Sequence, residues 1–457
     1  MDMQSDAACG RTSDSVTGRL AAYVAGAVPE ALPEAVCKEA ARTFLNWVGC
    51  AVGGARHETV DIALAALAPF SGPAQASVLG RGERLDPLHA ALINGISSHV
   101  FDFDDTHLRT VIHPGGPVLS ALLAFAENRK VRGPDFVNAL VLGVEVECRI
   151  GNAVFPAHYD IGWHITGTAG VFGAAAAIGK LLNLDAERMA WALGLAASQP
   201  VGLREMFGSM TKSFHPGRAA QNGMTASLLA ERGFTSSPQA LEAKRGWLHV
   251  LSAHQDPAEI TEGLGAHYEI LANSYKPFAC GIVIHPVIDA CVQLRKRDGI
   301  EAPSIRSVVL RVHPLVLELT GKTEPRTGLE GKFSVFHAAS VALIEGDGGE
   351  RQFSNRAVQN PAVIDLRRRV HAAVDPALAP DAATVTLTLA DGRVVEKRIE
   401  HAIGSLARPM TDADLEAKFT GLAEASLGAA GTRRLIDLCW RVGALDDVAA
   451  VAEAART

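Results

Sequence analysis

Thr384-Val385-Thr386-Leu387-Thr388-Leu389 alternates polar and apolar side chains, and Asp391-Gly392 then separates it from Val394-Val395. Period-two alternation fits a strand with one face buried, and Asp-Gly between two such runs is a strong hairpin signal. Residues 307–312, rich in Val and Leu, add another run of strand length. This character is confined to one part of the chain. From about residue 16 to 271 the pattern is helical, in segments such as 33–52, 87–100, 118–128, 134–150, 170–182 and 186–198, each punctuated by Gly, Pro or Asp. Helical segments at 285–294 and 333–344 interleave with the strands, and helical pattern returns at 412–422 and 431–438. The expected fold is mainly α. A large all-α domain, 1–272 and 404–457, carries a smaller α+β unit, 273–403, inserted before the C-terminal helices, and the tail is expected to pack back on the first domain.

Size and composition agree with that division. A chain of 457 residues exceeds what one core supports, since single cores stop growing near ~250–300 residues. Apolar residues make up 48% but aromatics only 5%, which favours tightly packed helices over a β-sandwich. The net charge of −7 is modest and no basic run exceeds Arg367-Arg368-Arg369, so a nucleic-acid partner is not expected. Seven widely spaced cysteines without a C-x-x-C pair fit a reducing cytoplasm and argue against a zinc or thiol-redox site. Residues 1–14 are polar and read as a frayed tail, not as a signal peptide. Residues 161–179 lack Asp, Glu, Lys and Arg, but His164 and five glycines favour a buried helix over a membrane span. Gly167, Gly170 and Gly173 recur every three residues there and invite close approach of another helix.

Ionisable chemistry is concentrated in a few loops. Residues 101–116 read Phe-Asp-Phe-Asp-Asp-Thr-His-Leu-Arg-Thr-Val-Ile-His-Pro-Gly-Gly, and 162–167, 210–217 and 275–280 each set a lone His or Lys beside Gly or Pro. Several loops converging is how an active site looks in sequence. Asp102, Asp104, Asp105 and His107 could ligate a metal, but they lack the calcium-loop pattern. They could equally be helix caps in a solvated loop. In an organic active site, Asp102 would orient or deprotonate, while His113 before Pro-Gly-Gly would open a helix whose N–H groups favour an anion. Lys212 lies in an apolar setting, with His215 and Arg218 within two turns, and Lys276 sits between Tyr275 and Pro277. Such cations around one or two carboxylates suit a substrate bearing several carboxylates. Familiar cofactor signatures fail: five residues separate Gly173 from Gly179-Lys180, Leu181 replaces the phosphate-loop Ser or Thr, and neither G-x-G-x-x-G after a strand nor G-x-S-x-G occurs.

At these residues the chain resembles the MmgE/PrpD family, which includes 2-methylcitrate dehydratase, cis-aconitate decarboxylase and iminodisuccinate epimerase. The resemblance runs through Asp102-Phe103-Asp104-Asp105-Thr106, His113-Pro114-Gly115, Gly143-Val144-Glu145-Val146, Gly162-Trp163-His164 with Thr166, Thr211-Lys212 with His215, Gly217-Arg218-Ala219-Ala220, Lys276-Pro277 through His285, and Lys332-Phe333-Ser334. It implies an all-α domain with a smaller α+β lid, a homodimer, and chemistry needing neither metal nor organic cofactor. By motif, Asp102, Thr106, His113, His164, Lys212 and His285 correspond to active-site positions, and Lys276 is a further candidate. One departure is that Phe336-His337 stands where the decarboxylase pattern tends to place Tyr, which weakens a decarboxylase assignment. The first expectation is a cofactor-independent dehydratase of the 2-methylcitrate type. Catalysis would fall to Asp102, His113, His164, Lys212 and His285, and substrate binding to Thr106, His215, Arg218 and Lys276. The alternatives are an epimerase of an imino- or amino-dicarboxylate, a cis-aconitate decarboxylase, and a non-catalytic carboxylate-binding protein.

Overall fold

The computed structural model describes residues 14–457, so the expected N-terminal tail up to residue 13 and Cys9 lie outside the described residues. Most of the chain is helical, in the positions the apolar periodicity marks: Glu34–Gly54, Pro87–His99, Gly115–Ala126, Gly133–Val154, Ile165–Leu181 and Ala186–Ala197. Asp86 caps the second of these by accepting from the N–H groups of Leu88 and His89. The segment read as a buried helix is one. In Ile165–Leu181, a Cβ added at Gly167, Gly170 or Gly173 would collide with the Val201 carbonyl, Pro117 and the Gly143 carbonyl respectively. Among the described residues no helix is long and apolar enough to cross a membrane.

The largest sheet has four strands in the order Val370–Val374, Ile305–Val312, Ala383–Leu389 and Val394–Ile399. The first pair is parallel and the other two are antiparallel, with Leu387 opposite Val395 across the expected hairpin. Gly392 takes φ 87 in its turn, and Asp391 accepts from the Arg393 N–H. The Val370–Val374 strand was not foreseen. It follows the Arg-rich end of a short helix, and only Val370 of its five residues is buried, so it lacks the alternation that reveals a half-buried strand. The two C-terminal helical segments run together as Asp412–Trp440, which is broken at Gly428 (φ 69, ψ 166). Its first half packs against Glu34–Gly54, with Phe419 in the space that a side chain at Gly49 would need.

Two local features bring distant residues together. Strand Asp105–His107 pairs antiparallel with Asn273–Tyr275, Asp105 facing Tyr275, so the next residue, Lys276, runs alongside the acidic turn at 102–104. Helices Pro87–His99 and Thr211–Glu231 meet at Gly95 and Gly217, where a Cβ on Gly95 would lie 2.3 Å from the Gly217 Cα. That contact seats the C-terminal end of the first helix, with His99, against the N-terminal turn of the second, with Lys212. Thr211–Glu231, a span the sequence places in the helical region without bounds of its own, is one continuous helix although Pro216 inside it offers no N–H to the carbonyl of Lys212.

Candidate active site

Asp102 is the centre of the ionic cluster. Its backbone takes φ 50, a left-handed conformation that Asp tolerates better than most residues, and its side chain is buried. Lys212 Nζ and Lys276 Nζ donate to its Oδ1 at 3.0 and 2.6 Å. Burial opposes ionisation, but the two ammonium groups overcome it and hold the Asp102 carboxyl well below the usual range. Lys276 is raised, because its attraction to Asp102 outweighs burial, whereas burial lowers Lys212 despite the same partner. Lys212 is therefore the better proton donor of the two.

Lys212 is held from its other side by a relay. Its Nζ lies 2.9 Å from His99 Nε2, and His99 Nδ1 lies 2.7 Å from Asp104 Oδ2. Asp104 is kept ionised by His99 and His113 against the effect of burial. Both ring nitrogens are satisfied when His99, which burial favours as neutral, donates from Nδ1 to Asp104 Oδ2 and accepts from Lys212 at Nε2.

His113 has a defined tautomer for a simple reason: its Nδ1 lies 2.7 Å from the backbone carbonyl of Asp105, which can only accept. Burial and then Lys276 push its pKa well below the ordinary value, so the ring is neutral and Nε2 keeps a lone pair. Thr106 Oγ1 approaches the same Nδ1 at 3.2 Å. His164 caps no helix N–H but pairs with His215, Nδ1 to Nδ1, at 2.8 Å, so one of the two carries the proton between them. Both are driven neutral by burial, His215 to about 3. Gly202 passes beside this pair with φ 112, and a Cβ there would sit 2.9 Å from His215 Nδ1.

A cavity of about 50 Å³ gathers these groups: Asp102, Thr106, His113, His164, Lys212 and Lys276 all line it. Phe207 and Phe333 stack 5.4 Å apart at its wall, with Lys212 Nζ over both rings. Ile282, Val283, Leu319 and Thr320 complete the wall from the C-terminal part of the chain. One ring nitrogen each of His99, His113 and His164 lie within 4.8 Å of one another, as do one ligand atom each of His99, Asp102 and Asp104, a spacing a metal ion could use. The two His99 nitrogens, however, already serve Asp104 and Lys212.

The MmgE/PrpD N-terminal domain matches residues 18–260 and the MmgE/PrpD C-terminal domain matches residues 278–442. The chain belongs to the MmgE/PrpD family. It is similar to the cis-aconitate decarboxylase of Aspergillus terreus (strain NIH 2624 / FGSC A1156), 26% identical over 480 residues, covering 99% of this chain and 98% of that protein. The cis-aconitate decarboxylase of Mus musculus is 28% identical over 454 residues, with 95% and 92% covered. The 2-methylcitrate dehydratase of Cupriavidus necator is 23% identical over 397 residues, with 80% and 81% covered.

Within this MmgE/PrpD chain, not every residue singled out from the sequence reaches the cavity. His215 stands behind His164, as its hydrogen-bond partner. His285 is buried with Nε2 3.4 Å from the Cys280 carbonyl and its ring against Phe278, outside the lining. Arg218 is exposed, in one row with the exposed Thr211 and Phe214 along its helix, and donates to Gln221 Oε1 at 2.5 Å. The helix after His113 is not open to an anion at its first N–H either, since Asp105 accepts from Gly115 at 3.0 Å. Sequence reasoning missed His99. It ends a helix with no Gly or Pro beside it, and only its position four residues after Gly95 foreshadows its contact.

Proposed function

We propose that this MmgE/PrpD protein is a cofactor-independent lyase acting next to a carboxylate of a di- or tricarboxylic acid, with dehydration of a 2-methylcitrate-type acid as its reaction. The observation that carries this reading is the pairing of a neutral His113, its Nε2 lone pair free, with two buried ammonium groups in one small cavity. A carbanion next to a carboxylate needs a base to take the proton and cations to stabilise the enediolate. In the proposed step His113 takes the proton from the carbon beside the carboxylate. The electron pair forms the new C=C bond, the C–O bond at the neighbouring carbon breaks, and the hydroxide leaves as water with a proton from Lys212. Asp102 and His99 fix Lys212, and Lys276 offsets the charge that develops on the substrate. We propose no metal role, because a metal on His99 would displace Lys212 from its partner.

The relatives favour a second reading, decarboxylation of cis-aconitate, since the decarboxylases align over more of this chain than the dehydratase does. Here a C–C bond breaks, CO₂ leaves, and the same acid returns a proton to carbon. His337 does not speak against it, being hydrogen-bonded to the Gln352 carbonyl and outside the lining of the cavity. The test is incubation of the EDTA-treated protein with 2-methylcitrate, citrate, cis-aconitate and iminodisuccinate in deuterated water, followed by NMR. Loss of water from 2-methylcitrate supports the dehydratase, and CO₂ from cis-aconitate replaces it with the decarboxylase. Deuterium uptake without net conversion would make the protein an epimerase, and binding without any exchange would make it a carboxylate-binding protein. Activity lost to EDTA and restored by one ion would overturn the metal-free mechanism.

A further inference from the structure

We propose that a wider cavity beside the candidate active site is a second carboxylate subsite, in which Lys332 receives a remote carboxylate of the substrate. The inference rests on the lyase reading above and narrows its substrate to acids long or branched enough to reach both places. The outer cavity measures about 410 Å³ and is lined by Phe101, Ser209, Thr327, Lys332, Phe353 and Asn355, among others. Between it and the inner cavity lies a small space of about 10 Å³ walled by Asp102, Lys212, Ser209, Lys332 and Phe333. Ser209 and Lys332 are shared with the outer cavity, and Asp102, Lys212 and Phe333 with the inner one.

Lys332 differs from the two inner lysines in having no counter-ion. It is 3% exposed, its Nζ donates to the Ala279 carbonyl at 2.7 Å, and it lies over the rings of Phe101 and Phe353 at 5.6 and 5.2 Å. Among the described residues it forms no ion pair, whereas Lys212 and Lys276 both pair with Asp102. Burial lowers it to about 8, so it is still largely protonated at neutral pH. A buried ammonium is retained when something pairs with it. Three carboxylates line the outer cavity, but Glu330 is engaged in a capping box with Thr327, and neither Glu58 nor Glu350 reaches Lys332. The arrangement fits an acid whose reacting end lies between Lys212 and Lys276 and whose further carboxylate completes Lys332.

The probes are tricarballylate, an unreactive tricarboxylate, and succinate, a short dicarboxylate, titrated calorimetrically into the full-length protein. The variants are Lys332→Met and Lys332→Gln, the second keeping a donor for the Ala279 carbonyl. Loss of one charge-assisted contact should weaken tricarballylate about tenfold or more in both variants while succinate stays within about twofold. Melting temperatures should hold or rise, since an unpaired buried charge is removed. Equal weakening of both acids, unchanged tricarballylate affinity, or no tricarballylate binding by the wild type would overturn the subsite. So would a lower melting temperature in both variants, which would make Lys332 structural. Failure of the underlying reading is distinct: if no acid is turned over but tricarballylate alone depends on Lys332, the lyase assignment falls and the subsite stands. Turnover with unchanged tricarballylate affinity in the variants removes the subsite and leaves the lyase.

Discussion

Asp104 and Asp105 are neighbours in sequence and are both fully buried, yet their surroundings drive them in opposite directions. Asp104 faces His99 and His113 and is held ionised against burial. Asp105 faces the other way, toward the Gly115 N–H and the Asn273 amide, and burial together with the charge of Asp104 raises it to about 7. Behind it Glu147 is raised further by burial and then by Asp105, and neither of its oxygens has a hydrogen-bond partner among the described residues. Two layers of acid therefore lie back to back. The front layer, Asp102 and Asp104, is matched by lysine and histidine and can hold charge where a carboxylate substrate reacts. The rear layer, Asp105 and Glu147, lacks cations, so both carboxyls are pushed toward the protonated form. Burial is common to both, so it is the neighbouring charge that decides.

Removing the front layer's centre should have the largest effect. Asp102→Asn leaves Lys212 and Lys276 buried without their shared carboxylate, and breaking such a pair costs about 3–5 kcal/mol. The sign with pH follows from the depressed Asp102 value. Its contribution is complete above the unfolded value of about 3.9 and is lost as the pH falls through the lower folded value. Chemical denaturation from pH 7 down to 3 should show the variant less stable at neutral pH, with the gap closing on acidification. A constant gap would mean that Asp102 is not the ionised member of the cluster.

Chemistry comes next. Lys212→Met and His164→Gln should each lower kcat by about 10² or more with the fold intact, measured on whichever acid proves to be the substrate. Wild-type kcat in both would remove the front layer from the mechanism. For His164 a fall in melting temperature with kcat unchanged would assign it a packing role beside His215 instead.

The contrast between the layers was only half visible in the sequence. Asp102, His113, His164, Lys212 and Lys276 stood out because each is an ionisable residue set among Gly, Pro or apolar neighbours, and helices with regular apolar spacing were placed to within a few residues. What could not be read was which acid faces which cation. Asp102, Asp104 and Asp105 share one short stretch, and a single positive φ at Asp102 with a three-residue strand at 105–107 sorts them to different sides. His99 was hidden for a related reason: its role depends on a Gly95–Gly217 helix crossing between residues more than a hundred positions apart. Lys332 was quoted within a motif, but that it lacks a counter-ion is visible only in three dimensions.

The rear layer offers a smaller and opposite effect. Glu147→Gln keeps the shape and removes a group that can ionise. Because the folded value of Glu147 is raised, the wild type loses stability as the pH rises above the unfolded value of about 4.3, where only the unfolded chain releases the proton. The variant should match the wild type near pH 4 and exceed it by about 1 kcal/mol or more at pH 8, read from denaturant midpoints. If the variant is the less stable at pH 8, Glu147 holds an ionic partner there and the rear layer is not neutral.

Arg218 should show the smallest effect, and it sharpens where the cationic front layer ends. Its motif neighbours made it a candidate carboxylate clamp, which would raise KM on removal. Its exposed guanidinium instead serves Gln221 three residues along the same helix. Exposed substitutions away from special contacts usually stay within about 0.5 kcal/mol, so Arg218→Ala should leave melting temperature, kcat and KM all close to wild type. A several-fold rise in KM with kcat unchanged would mean that an incoming acid meets Arg218 before it reaches Lys212, and the electrostatic reach of the site would then extend along the outer face of the Thr211–Glu231 helix.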